Sequence, residues 1–409
     1  MASVIATRDG QARTTVKSAA GPTNLPTHQA QNQFVPTLDV VRLFQANSVG
    51  SWGTYSEFVL TPEQMPHIVE KVDLQLTLGA ATKTGGTVIS FVNDAAFLSR
   101  LIEVSIGSEL ISSMYPEGQY FRHVLHLTNE EKTLVLIAAG NDTLAHRQTK
   151  AAAGQTLVLS IPVPWINKYG YFTGQQASQL RIKVYHAALS DVVQTDGTAP
   201  VCAINSVQLA VSGRNYLNSA SAGALVQTQR KLGRVDERFL DPVQQQFSLI
   251  SGSASYTLQF TNFVGVFDHL KFVVRAASSV GTPLANSPDT FVAVASYSFS
   301  DGGGNVIFPT ITSAFALGPY TAHYVSGNGL DNGDTVQKLI YALYFGNRPE
   351  ESLNKGTSHG FYRMGGTDRL TINFASAISA NYVVDVVAYQ ASQISADAQG
   401  IVKRSKIVG

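Results

Sequence analysis

An all-β protein made of two consecutive β-sandwich halves is what this sequence predicts. Three observations carry that reading: the length, a recurrent alternation of apolar and polar residues, and similar segments set roughly 200 residues apart. At 409 residues the chain is long for one sandwich and suits two domains of about 200 residues.

Alternation with a period of two places apolar residues on one face of a strand and polar ones on the other. Val72-Asp73-Leu74-Gln75-Leu76-Thr77-Leu78 has this pattern, as does Leu180-Arg181-Ile182-Lys183-Val184-Tyr185. Val207 to Val211 and Leu370 to Phe374 repeat it. Turn signals punctuate these runs at Gly85-Gly86, Asp196-Gly197, Asp301 to Asn305 and Asn332-Gly333-Asp334. Many short strands with Gly-rich turns point to a sandwich or barrel, not a parallel α/β sheet.

Helix is scarce. Thr128-Asn129-Glu130-Glu131 is a capping-box pattern leading into Leu134, Ile137 and Ala138 and ending at Gly140, which predicts one helix there. A second candidate runs from Ala220 to Leu232, ahead of a charged segment with Arg230, Lys231, Arg234, Asp236, Glu237 and Arg238. That segment reads as the connector.

The halves resemble each other. His67 to Leu74 has a counterpart in Val266 to Val273, with an offset of 198 residues between Val72 and Leu270. Gln179 to Val184 corresponds to Arg369 to Phe374, with an offset of 190 between Leu180 and Leu370. Two separate anchors with near-constant offset suggest a tandem duplication of one sandwich. The expected layout is an extended N-terminal arm over 1–36, a first sandwich over 37–216, a connector over 217–245, a second sandwich over 246–395 and a basic tail over 396–409. The arm is rich in Thr, Ala, Gln and Gly and broken by Pro22, Pro26 and Pro36, a composition that supports no packed element alone.

Charged residues make up only 14% of the chain against 44% hydrophobic ones. Low charge tilts the reading towards a surface largely covered by copies of itself. A net charge of +1 argues against bulk genome binding, which needs many unpaired cations. Basic clusters mark the two ends: Arg8, Arg13 and Lys17, then Lys403, Arg404 and Lys406. They read as solvated termini or as contacts to an acidic partner such as a membrane face or genome. The single cysteine, Cys202, lies in an apolar run, so an intrachain disulfide framework is excluded and a core position is expected. Residues 1–36 hold no signal-peptide-like apolar run, and the longest apolar stretch, Leu134 to Ala139, is too short to span a bilayer. Assembly in a reducing cell interior is the expectation.

Several motifs together resemble the major capsid proteins of the double jelly-roll lineage, found in large DNA viruses, tectivirus-like and related dsDNA viruses. Ile102 to Ile111, with Ile106-Gly107 at its centre, is similar to one stretch of their sequences, and the helix at Glu130 to Ala139 follows at a similar distance. Leu159-Ser160-Ile161-Pro162-Val163-Pro164-Trp165 resembles a further strand, and Leu180 to Tyr185 the next. Pro349-Glu350-Glu351, Lys355-Gly356-Thr357 and Phe361-Tyr362-Arg363 resemble a loop of the second half, and Val383 to Tyr389 the closing strand. Departures are Ile166-Asn167-Lys168 after Trp165, and Asn354-Lys355-Gly356 and His359-Gly360 within the loop. The resemblance implies two tandem eight-stranded jelly-roll sandwiches with few short helices. It also implies a homotrimer acting as a pseudo-hexameric capsomer in an icosahedral capsid, with three chains supplying six barrels. Neighbouring capsomers, penton and minor capsid proteins, and an internal membrane or its proteins are the implied partners. The implied location is the virion. Ala277 to Asp289 and Gly318 to Asp334 would form outward loops.

No G-x-S-x-G elbow, P-loop, dinucleotide-binding glycine motif or H-E-x-x-H is present. No catalytic, cofactor or metal residue is therefore assigned. His123 and His126 stand three apart without an accompanying ligand cluster and read as structural. Glu350 and Glu351 are adjacent and point apart on a strand, so they cannot serve as acid and base on one face. They read as solvated charges or as interface partners of Arg348 and Arg363. Asp94, Asp268 and Asp385 read as polar-face residues. Asn141-Asp142-Thr143 is a glycosylation sequon expected to be unused. Trp52, Tyr55 and Phe58 read as core packing before a stacking patch. A carbohydrate-binding spike or receptor-binding protein on a sandwich scaffold is the alternative function. A hydrolase would need a carboxylate pair brought together between the halves.

Overall fold

A computed structural model describes residues 2–6, 11–16, 32–34, 37–161, 163, 171–173, 176–217, 234–277, 290–325, 329–330, 337–346 and 361–407. The alternating runs are strands, and each buries its apolar parity. In the first half these are β1 (Thr37–Gln45), β2 (Tyr55–Leu60), β3 (Ile68–Leu78) and β4 (Ser99–Ile106), then β5 (Glu109–Met114), β6 (Gln155–Ile161), β7 (Leu180–His186) and β8 (Ile204–Tyr216). They form two antiparallel sheets, ordered β1-β8-β3-β6 and β2-β7-β4-β5. Leu74, Leu76, Ile102, Val104, Ile182 and Val184 meet between the sheets in one core. Full burial of each such side chain contributes about 1.5–3 kcal/mol.

The second half repeats the arrangement. Its strands are β9 (Arg234–Leu249), β10 (Ser255–Gln259), β11 (Val264–Ala276), β12 (Ser296–Ser300), β13 (Val306–Thr312), β14 (Tyr341–Tyr344), β15 (Arg369–Asn373) and β16 (Tyr382–Asp397). The sheets are β9-β16-β11-β14 and β10-β15-β12-β13, so each strand n of the first half has its equivalent at n + 8. This is the jelly-roll order twice over, a double jelly roll. The second core is aromatic. Phe272 meets Tyr297 edge-on at 5.1 Å and Tyr341 at 5.3 Å. The buried Tyr297 hydroxyl donates to Ala342 O at 2.9 Å, satisfying a group that would be costly to bury unpaired.

An irregularity fixes the equivalence residue by residue. In the β3–β8 ladder Ser212 pairs Lys71 and Gly213 pairs Val69, leaving Glu70 as the extra residue of a bulge. In the β11–β16 ladder Tyr389 pairs His269 and Gln390 pairs Phe267, leaving Asp268 extra. Glu70 and Asp268 lie 198 positions apart, the offset that the sequence repeat gives. Bulges mark register specifically, so a shared bulge supports duplication more strongly than alternation does.

The capping-box helix is present as α2 (Asn129–Ala138), with Thr128 and Glu131 capping each other. Two more helices flank it, α1 (Pro116–Leu125) and α3 (Leu144–Ala153), all between β5 and β6. Sequence reading missed both because α1 buries polar as well as apolar residues, including Glu117, Gln119 and His123, which blurs its helical stripe. The equivalent place in the second half, between β13 and β14, holds a broken helical segment over 313–324. Among the described residues no helix is long and apolar enough to cross a membrane.

Three expectations about the layout change. The stretch 217–245, read as connector from its charges, already contains β9 from Arg234 onward. Its Asp241 is drawn into the structure by an ion pair described below. The tail is not a free solvated end, because Val402–Lys406 forms a strand, β17, paired with β16. Within the stretch read as an arm, strands at 2–6, 11–16 and 32–34 pair with one another. The second helix candidate, 220–232, falls outside the described residues, as does nearly all of the insertion 277–289, whereas the insertion 318–334, expected as an outward loop, begins in helical turns through Tyr324.

Candidate functional site: the seam between the two barrels

Both faces of the β9-β16-β11-β14 sheet are covered, which is why β11 is buried along nearly its whole length. Leu270, Phe272 and Val274 point into the second core. On the opposite parity Lys271, Val273 and Arg275 are also buried, and Val273 belongs to the first core. In β16, Val384, Val386 and Ala388 face the second core, whereas Val387 belongs to the first. The polar parity that an isolated sandwich would show to water is therefore pressed against the other barrel.

Helix α1 is the element that presses on it. Pro116 starts the helix at a position where a missing N–H costs nothing. Tyr120, Phe121 and Val124 then anchor it in the first core. Its Glu117 reaches across, and Arg275 Nη2 donates to Glu117 Oε1 at 2.9 Å and to Asp385. Gln244 Nε2 donates to Glu117 Oε2 at 3.1 Å, and Gln246 Nε2 to Asp385 Oδ1 at 2.8 Å. Burial pushes the Glu117 carboxyl above the usual carboxylate range, and the neighbouring Asp385 charge adds to the rise. Burial opposes the Arg275 charge, but the two carboxylates outweigh it and raise its pKa. A buried charge cluster of this kind holds only if its partners stay matched in place, so it fixes how the two barrels sit.

Further ties line the seam. Lys132 Nζ donates to Val124 O at 2.7 Å and, across the seam, to Leu330 O at 2.9 Å. Lys271 Nζ meets His126 Nε2 and lies over the Tyr389 ring at 4.9 Å, while His269 stacks on Tyr389 at 4.1 Å. At the far end Ser112 Oγ donates to Asp241 Oδ1 at 2.8 Å. Arg404, on β17, pairs with the other Asp241 oxygen, and its backbone N–H donates to Glu109 Oε1 at 3.2 Å. Burial pushes the Asp241 carboxyl up to about 6 although Arg404 pulls it down. The basic tail thus closes a latch over both barrels.

The residues singled out from sequence divide clearly. Arg404 is in the latch, while Lys403 and Lys406 on the same strand are exposed. Arg363 is exposed on the short strand Tyr362–Gly365, opposite Val266. Arg8, Lys17, Arg348, Glu350 and Glu351 lie outside the described residues, and for Arg13 only a strand position is described. Asp94, Asp268 and Asp385 are not exposed polar-face residues, as expected from alternation, but buried. Asp94 Oδ1 accepts from Ala96 N at 2.8 Å, and its other oxygen lies 2.9 Å from His123 Nδ1. His123 is buried against this carboxylate. Asn141 of the sequon is buried and faces Asp94, where no glycan could be attached. Phe58 is in the core, Trp52 Nε1 donates to Cys202 O at 2.8 Å, and Tyr55 is exposed. Cys202 is buried and its thiol is pushed up to about 11 by desolvation. A Ser56–His186 pair at 2.7 Å is enclosed, and burial pushes the imidazole down to about 4. Sequence reading missed Glu117, Asp241 and Arg275. The available signal was charge on the polar parity of two otherwise apolar strands, Lys271 and Arg275 on one and Asp385 on the other.

No family model matches the sequence, and no curated protein matches it. Solved structures do match the fold. PBCV-1 VP54, in a crystal structure fitted into a reconstruction of the virophage Sputnik, superposes with a TM-score of 0.68 at 12% identity, covering 90% of this chain and 97% of that one. The Faustovirus major capsid protein gives 0.67 at 7% identity, covering 91% and 92%. The mavirus major capsid protein gives 0.52 at 11% identity, covering 97% and 96%.

Proposed function

We propose that this double jelly-roll chain is a major capsid protein that trimerises into pseudo-hexameric capsomers of an icosahedral virus shell. The observation that carries the reading is the buried seam. Two barrels of one topology are locked side by side by Glu117, Arg275, Asp385 and the Arg404–Asp241 latch. Fixed in this way, one chain acts as two similar building blocks, and a threefold axis turns three chains into six. The full-chain likeness to major capsid proteins supports the same role. Capsomer packing would also cover surfaces that a low-charge chain leaves open to water, with 14% charged residues. Neighbouring capsomers, penton and minor capsid proteins, and an internal membrane or its proteins are the partners this role calls for. Synthesis and assembly in the host interior fit the buried free thiol of Cys202.

Sedimentation of the purified chain tests the reading, with a species near three times 43.8 kDa expected and closed shells of hexagonally arranged capsomers in electron micrographs. A chain that stays monomeric at all concentrations overturns it.

A further inference from the structure

His186 ends β7 with its side chain buried in the first barrel, and the loop 46–54 between β1 and β2 closes over it. The loop is fastened around the imidazole. Gly53 N donates to Ala187 O at 2.9 Å, His186 N to Thr54 O at 2.8 Å, and Gly50 N to Ser56 Oγ at 2.9 Å. Trp52 lies edge-on to the His186 ring with centroids 6.1 Å apart, and its Nε1 is held by Cys202 O. From Leu43 to Ser56 the sequence carries no charged residue.

The site suits one charge state of the ring. Nε2 lies 2.7 Å from Ser56 Oγ, and Nδ1 has no hydrogen-bond partner among the described residues. A neutral imidazole needs only the serine contact, because its other nitrogen can stay a bare acceptor. An imidazolium presents two N–H donors, and here one donor and the charge itself would face no partner. The residues about the ring are uncharged: Ser56 on β2, Ser99 opposite it on β4, and Gly50 and Trp52 in the loop. The charged residues of these strands, Glu57, Arg100, Glu103, Arg181 and Lys183, lie on the outer face, where Arg100 and Lys183 stand over the Tyr185 and Tyr55 rings. In the adjoining turns Asp94 is engaged by His123, and Asp191 by the Ser190 hydroxyl. Burial alone accordingly drives the imidazole down to about 4.

The second barrel shows that the fold does not require this pair. The offsets of 198 and 190 between matched strands lead from Ser56 to Ala254 and from His186 to Ser376. The ladders agree, since Phe374 N donates to Ala254 O where Val184 pairs Ser56. A buried position at the end of such a strand takes an apolar residue most readily, so the histidine is an added feature of the first barrel.

We propose that His186 is an acid-operated clasp: when it takes up a proton, the segment 50–53 lifts and releases Trp52 while both barrels stay folded. The segment is bounded by fixed points. Before it, Asn47 N donates to Glu57 O, Glu57 N to Ser48 O and Val59 N to Asn47 Oδ1, contacts that do not involve the histidine. At its end Gly53 has a φ of 79°, a region glycine enters freely. Freed, Trp52 joins the exposed Val49, Tyr55 and Val201 in an uncharged apolar surface that the closed loop keeps partly covered. The open loop binds the proton better, since an imidazole in water titrates near 6.5 and the buried ring near 4. The ratio of open to closed loops therefore rises about tenfold per pH unit as pH falls from 6.5 to about 4, roughly 300-fold in all, and is level on either side.

Fluorine NMR of the full chain labelled with 5-fluorotryptophan tests the clasp. The chain has two tryptophans, and the Trp52 resonance is the one lost in Trp52→Phe. Titrated from neutral pH into acid, that resonance should move to the position of a solvent-exposed indole while far-UV circular dichroism stays unchanged. In His186→Gln, which keeps an acceptor for the Ser56 hydroxyl but takes no charge, it should stay in place over the same range. His186→Leu is a second uncharged variant with the same expectation. Ser56→Ala, which keeps the histidine but strips its partner, should open at higher pH than the unaltered chain. A Trp52 signal that never moves before circular dichroism is lost overturns the proposal, as does an equal movement in either uncharged variant. If neither of those variants folds, Ser56→Ala decides, and an opening pH that does not rise overturns the clasp.

Discussion

Glu117 of the first barrel and Arg275 of the second meet at 2.9 Å inside the seam, both of them buried. Glu117→Ala removes one of the two carboxylates that Arg275 pairs with, Asp385 being the other described, and opens a gap where the helix met the sheet. Removing one member of a buried ion pair typically costs about 3–5 kcal/mol, and the remaining Asp385 contact places this variant near the lower figure. Chemical denaturation should show that loss. Glu117→Gln, which keeps an acceptor for Arg275, should lose less.

The Asp241 carboxyl, raised to about 6 by burial, gives the latch a pH dependence of known sign. A carboxyl whose pKa is higher folded than unfolded binds more protons in the folded state. Its contribution is full below pH about 3.8 and is lost as pH rises through about 6. The stability of the unaltered protein minus that of Asp241→Asn should therefore fall between these pH values and stay level above. The expected change is roughly 2–3 kcal/mol. Thermal melts of the two proteins at matched pH check this, and the difference cancels contributions from other groups such as His186. A flat difference would contradict it.

Gly213 and Gly118 should respond oppositely to alanine. A Cβ on Gly213, beside the first-barrel bulge, would lie 1.9 Å from Ile68 O, so the ladder must part. A loss of about 2 kcal/mol or more is expected in thermal or denaturant melts. A Cβ on Gly118, inside α1, would meet Val387 Cγ1 at 3.5 Å, an ordinary contact. Gly118→Ala should stabilise by roughly 0.5–1 kcal/mol through helix propensity.

Cys202 should resist thiol reagents. Its side chain is buried and its pKa pushed up to about 11, so at pH 8 almost none of it is thiolate. Alkylation followed by mass spectrometry should proceed only as fast as the protein opens. Fast labelling of the folded chain would place Cys202 outside the core.

What the sequence determined by itself was local and repetitive. The period-two runs around Leu74, Ile182, Leu209 and Ile372 became strands, because a half-buried strand requires that pattern. The capping box at Thr128 became α2, since its two reciprocal hydrogen bonds lie within four residues. The offset of 198 reappeared as the paired bulges at Glu70 and Asp268. The motifs around Ile102 and Leu159 pointed to the correct fold.

Only the tertiary structure decided which polar parity faces water. Asp385 and Lys271 alternate with apolar neighbours just as Gln75 and Thr77 do, yet the first two are buried and the others are not. The difference lies in α1, which is distant in sequence and covers one sheet but not its twin. Alternation encodes a strand's two faces. Whether the second face meets solvent, a neighbouring barrel or another chain depends on contacts between residues more than a hundred positions apart, such as Glu117 and Arg275. The seam could therefore be seen only once both barrels were in place.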